Sequence, residues 1–264
     1  MFFGFAIVEM IVCFVLLVIF ILNFNSAVIR QSGALLNITM LAATFFLALS
    51  QLLLCLSRTD AICTLVLFVY RTSLILLMSA LLFKNYRVYR IFGNKSANAL
   101  KITESSLLVK VFIITFIYAA VITVFVAVFG FKAITFQSTK DYYYQFVKCE
   151  IPNDTWDIIF QFFLELIAIA LIILTLILAW LTRKAQSGYN ESVPLAAFSG
   201  IIAAALLIFF PLALTLGDDS GSEIFRFIIL AEFISIVVVS ACVLLFIPKA
   251  FVLYKNYKRR SSLI

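Results

Sequence analysis

No histidine occurs anywhere in the 264 residues, which removes the general base of Ser-His-Asp catalysis and the commonest nitrogen ligand of zinc. No Gly-rich phosphate loop or paired-aspartate motif takes its place, so no catalytic residue, metal ligand set or cofactor site is read from the chain, and we expect a protein that is not an enzyme. Four prolines and eight glycines leave few places to break a helix, and no paired internal repeat is evident, which weighs against an alternating-access transporter. Charge is scarce too, at 12% of residues, while 65% are hydrophobic and the mean hydropathy is +1.17. A soluble core of this size cannot be that apolar, so the chain belongs in a membrane.

Apolar runs long enough to cross roughly 30 Å of hydrocarbon as helices occur seven times, near residues 2–24, 34–56, 63–87, 107–130, 156–182, 194–217 and 224–247. The expected architecture is an all-α bundle of seven transmembrane helices, residues 1–250, followed by a short basic tail over 251–264. The first run lacks a basic leader and a small-residue cleavage site and is longer than a signal-peptide core, so it is read as a retained span. No large extracellular domain is expected before it.

Charge sets the orientation. With the N-terminus outside and the C-terminus cytoplasmic, fourteen of the twenty Lys and Arg residues fall on cytoplasmic segments, and eight of the thirteen acids fall outside. The formal charge of +7 is thus a topology signal. It describes a cytoplasmic face suited to anionic membrane lipid or an acidic partner, and it does not point to nucleic acid. A retinal pump needs a lysine within the last span, and the nearest, Lys249, lies at its inner end.

The loop between the fourth and fifth spans, GFKAITFQSTKDYYYQFVKCEIPNDTW, is the longest, and its three tyrosines among alternating polar residues suggest a short β-hairpin over the bundle mouth. Five cysteines occur. Cys13 and Cys242 are mid-span, where a disulfide is not expected, whereas Cys63 and Cys149 share the oxidising side. Cys63 with Cys149 is the favoured bridge, with Cys55 the competing partner. Asn153, in Asn-Asp-Thr, is the one glycosylation acceptor on that side; the acceptors at Asn37, Asn94 and Asn190 fall inside or in the membrane.

Four charges lie within the spans: Glu9, Arg71, Glu165 and Glu232. Arg71 is eight residues in from Cys63, about 12 Å down at a rise of ~1.5 Å per residue. An isolated charge there costs at least ~2.5–3.5 kcal/mol, so Arg71 is expected to face inward and meet a carboxylate, Glu165 or Glu232 before Glu9. Together the four define a polar site in the outer half of the bundle, either a ligand site or a structural ion pair.

Four stretches carry a resemblance. SALLFKNYRVYRIF, at the inner half of the third span, is similar to the pattern SALxxKTxRIxRIF of class C G-protein-coupled receptors, the family of the metabotropic glutamate and GABA-B receptors. NSAVIRQSGALLNITML resembles the family's first inner loop, of the type NTPVVKASGRELSYVLL. YNESVPLAAF resembles FNEAKYIAF at the start of the sixth span, with Pro211 at the family's proline position, and FIPKAF resembles FxPKxY at the end of the seventh. The match runs through all seven spans in order. Two positions depart from it: Leu206 stands where the family has a sixth-span tryptophan, and Phe251 where FxPKxY has its tyrosine.

The resemblance implies several roles. Lys84 and Glu191 hold the inner ends of the third and sixth spans together as an ionic lock, with Ser32 nearby. Cys63 and Cys149 form the bridge from the third span to the second outer loop. A heterotrimeric G protein is the implied partner, met by Arg87, Arg90, Lys95 and Lys249, with homo- or hetero-dimers in the plasma membrane. The expected function is that of a receptor bundle signalling through rearrangement of its inner ends. The alternatives are a non-signalling partner subunit of a larger receptor, and a transporter or channel with a polar path at Arg71, Glu165 and Glu232.

Overall fold

The computed structural model describes residues 2–56, 59–93, 103–137, 145–182, 192–215 and 220–261. Seven long helices dominate it: α1 (Phe2–Leu22), α3 (Ala34–Leu54), α4 (Asp60–Gly93), α5 (Glu104–Phe129), α6 (Asp154–Thr182), α7 (Ser192–Thr215) and α8 (Ser220–Ala241). A short helix α2 (Ala27–Gln31) joins α1 to α3, and α8 runs through a π-turn at Cys242–Phe246 into α9 (Ile247–Ser261). Six of these helical stretches are long and apolar enough to cross a membrane, and α7 adds a shorter apolar stretch, Val193–Phe209.

The bundle inverts the pattern of a soluble protein. Leu22, Phe116, Val124, Val128, Ile158 and Leu207 point outward and stay more than half exposed. Asn37, Thr44, Ser50, Gln51, Ser79, Lys84 and Asn85 are buried within. An apolar exterior over a polar-containing interior is what a hydrocarbon solvent selects. The buried hydroxyls are satisfied by their own helices, Thr44 donating to the Leu41 carbonyl at 2.8 Å and Ser50 to that of Leu47 at 2.7 Å.

α4 is the axis of the bundle. It packs against α3, α5 and α6 and touches α7, while α8 lies against α3 and α7, and α1 lies against α3 and α8. Small residues let the backbones approach: Ala43 and Ala48 on α3 and Ser79 and Ala80 on α4 are fully buried.

Two local features have clear sequence causes. Ser26 caps α2, its side chain accepting from the Ile29 amide, and the chain then turns through Gly33 at φ +88°. A Cβ there would stand 2.7 Å from Arg87 Nη1, so the left-handed backbone favours glycine and any side chain would displace the Arg87 guanidinium. The π-turn lies just ahead of Pro248, whose ring cannot donate to the Leu244 carbonyl and would collide with it in a regular helix; the wider turn relieves the collision without ending the helix.

At one end of the bundle β1 (Lys132–Gln137) and β2 (Gln145–Glu150) form an antiparallel hairpin in which Ala133 faces Cys149. The three tyrosines between the strands lie outside the described residues.

Candidate functional site

The disulfide end is a clamp over α4. Cys149 on β2 is bonded to Cys63 in the first turn of α4, with Cα atoms 5.6 Å apart, and Cys55 is a free thiol. The Ala133 amide donates to Asp60 Oδ1 at 2.7 Å and the Ile151 amide to Asp157 Oδ1 at 3.1 Å, so carboxylates from α4 and α6 hold both sides of the hairpin. Asn153 is exposed just before α6, where its Oδ1 accepts from the Trp156 amide at 3.4 Å.

Deeper in the bundle, the four intramembrane charges divide into two sites. Arg71 Nη1 is paired with Glu165 Oε1, and its Nη2 donates to Gln161 Oε1 at 2.8 Å. This fork joins α4 to α6 with both side chains largely buried, and its planarity suits Arg rather than Lys. Glu232 is not part of it: that residue is exposed on α8 and faces a groove on the outside of the bundle. Glu9 on α1 is buried, within hydrogen-bonding reach of Ser235 and within reach of the charge of Glu232, both on α8. Depth along a helix is readable by counting residues, but the direction in which a side chain leaves the helix also depends on packing, and packing separates these carboxylates.

The basic end carries a connected polar network. Lys84 on α4 donates its Nζ to Asn37 Oδ1 on α3. Lys249 on α9 donates to Ser32 Oγ at 3.0 Å and to the same Asn37 oxygen at 3.3 Å. Asn37 in turn donates its amide to Ser32 Oγ, so one buried amide ties together the loop before α3 and the basic ends of α4 and α9. Alongside, Arg87 Nη1 donates to Glu104 Oε1 at 2.6 Å, and Glu104 Oε2 accepts from the Leu35 amide at 3.4 Å. Glu104 thereby links the start of α5 to α3 and α4. Arg90 lies over the Tyr86 ring, 6.0 Å from its centroid.

Arg87 and Lys249, expected to meet a partner, are half-buried and also make contacts within the bundle. Glu191 and Lys95 lie outside the described residues. Asn37, Glu104 and Gln161 are site residues that the sequence reading did not single out. Gln161 had a signal, since it precedes Glu165 by one helical turn and so shares its face. Asn37 presented itself only as a misplaced glycosylation acceptor, and for Glu104 there was no signal. Among the described residues no group of three or more acidic, Cys or His side chains could hold a metal ion.

A seven-helix bundle with an apolar exterior, a disulfide clamp at one end and a basic polar network at the other defines a multi-pass membrane protein of receptor type. The chain belongs to the class C G-protein-coupled receptor family: the family model described as "7 transmembrane sweet-taste receptor of 3 GCPR" matches residues 1–249. Among curated proteins, none matches the sequence significantly.

Proposed function

We propose that this bundle lies in the plasma membrane with its N-terminus outside and signals to a heterotrimeric G protein by repacking the ends of its helices at the basic, cytoplasmic face. The observation that carries the reading is the meeting of Lys84 and Lys249 at Asn37, which makes the relative positions of α3, α4 and α9 depend on a few polar contacts. Contacts of this kind, made by charged donors to a buried amide, are worth about 1–3 kcal/mol, a size that moves a two-state equilibrium several-fold to a hundredfold. The positive-inside distribution of Lys and Arg supports the orientation. By the family resemblance, Glu191 at the head of α7 supplies the carboxylate for Lys84, with Ser32 bracing the pair. Breaking this lock frees the α7 end and opens a surface on which Arg90 and Lys95 meet the G protein. Asn153 carries the glycan in this orientation, and the bundle works as a homo- or hetero-dimer.

Coupling is tested by guanine-nucleotide exchange on purified heterotrimers added to membranes that contain the chain. Exchange above that of membranes lacking the chain supports the reading. No rise with the wild type or with any variant of the basic-end network contradicts it, and points to a non-signalling subunit.

A further inference from the structure

The groove on the outer side of α1, α7 and α8 is unlike the rest of the exterior. Its volume is ≈ 490 Å³, within the range of small-molecule sites. By contrast, the depression inside the bundle lined by Met78, Ile172 and Ser199 leaves no room even for water. The groove's walls are apolar, with Phe5, Ile201 and Val239 among them, but its floor presents Glu232 and Ser235. Glu9 on α1, 6% exposed, is not itself part of the lining but lies within hydrogen-bonding reach of Ser235 and within reach of the charge of Glu232. Gln51, fully buried, donates its Nε2 to Ser235 Oγ at 2.9 Å, and its Oε1 has no partner. The cluster is thus rich in acceptors and poor in donors: two carboxylates and the unpartnered Gln51 amide oxygen neighbour a single hydroxyl, Ser235, and among the described residues no Lys or Arg is ion-paired with either acid. Buried acceptors without donors are costly, more so at membrane depth.

We infer that this groove is a membrane-accessible binding site for an amphiphilic monoamine, whose protonated nitrogen lies between Glu232 and Glu9 while its apolar body occupies the channel along α8. A cationic ammonium supplies the donors the cluster lacks, and an alkyl or aromatic body matches the walls. A zwitterionic phospholipid fits less well, because its phosphate would enter beside two carboxylates. An inorganic cation would leave the apolar channel unfilled.

The test is photolabelling of the full chain in phosphatidylcholine nanodiscs, with a diazirine-bearing dodecylamine compared with the dodecanol of the same length. The amine is expected to label peptides of α1, α7 and α8 roughly tenfold more than the alcohol, the scale of one charge-assisted contact. Glu232→Gln, at an exposed position, should bring amine labelling down to the alcohol's level in protein of wild-type thermal stability. Glu9→Gln should do the same in protein that retains wild-type thermal stability, and Val239→Trp should block both probes by filling the channel. Equal labelling by amine and alcohol overturns the proposal, as does undiminished amine labelling of Glu232→Gln. Loss of amine labelling when phosphatidylethanolamine is added to the bilayer also overturns it, since the occupant is then a lipid headgroup.

Discussion

Lys84 and Lys249, on helices far apart in sequence, donate to the same atom, Asn37 Oδ1, which makes a single buried amide the junction of three helix ends. Replacing Asn37 with Leu keeps the branched skeleton, at a larger volume, but removes the acceptor shared by both ammonium groups and the donor to Ser32. The expected cost is about 2–3 kcal/mol, since a buried acceptor of two charge-assisted hydrogen bonds is lost. Thermal unfolding of the purified chain in detergent measures it, and a variant as stable as the wild type would show that the junction contributes nothing.

The Arg71–Glu165 pair makes a different prediction, because both partners are largely buried. Glu165→Gln leaves the guanidinium without a countercharge and should cost about 3–5 kcal/mol, whereas Arg71→Met combined with Glu165→Leu should return to within about 1–2 kcal/mol of the wild type. A double-mutant cycle on thermal stability reads the coupling. Additive losses would mean that the two groups do not interact.

Cys149→Ser opens a bridge between residues 86 apart in sequence. In the chain-entropy account this removes about 4.6 kcal/mol and releases the hairpin from α4. Cys55→Ser should leave stability unchanged, since that thiol is free. Non-reducing gel mobility with thiol labelling, alongside the melting temperature, distinguishes the two.

Gly33→Ala should cost about 1–2 kcal/mol from the left-handed backbone alone. It should also displace Arg87 from Glu104, because the new methyl would lie 2.7 Å from Arg87 Nη1. Adding Arg87→Ala relieves the steric part only, so the double variant should recover a fraction of the loss. Full recovery would mean that the backbone strain is negligible.

Much of the architecture was legible because it depends on quantities that run along the chain. The length of apolar runs gives the number of helices, and the tyrosines among alternating polar residues in the longest loop signal the hairpin. What stayed hidden depends on rotation about a helix axis. Counting residues placed Arg71 at the depth of two carboxylates but did not distinguish Glu165, which faces α4, from Glu232, which faces the outer groove. The network at the basic end was hidden for a related reason: Asn37, Glu104 and Lys249 come from three distant segments, and only the tertiary arrangement of the helices brings them to one end of the bundle. The π-turn had a local signal in Pro248, inside a stretch that otherwise continues as helix.

The central claim is that polar contacts at the basic end hold the bundle in a resting arrangement, and it is tested most directly by basal G-protein activation in cells expressing matched surface amounts of wild type and Lys84→Ala. Loss of a contact worth about 1–2 kcal/mol should raise basal activation several-fold, with Glu191→Ala giving a rise of similar size and the double variant no further increase. Basal activation indistinguishable from the wild type in both single variants would contradict the account.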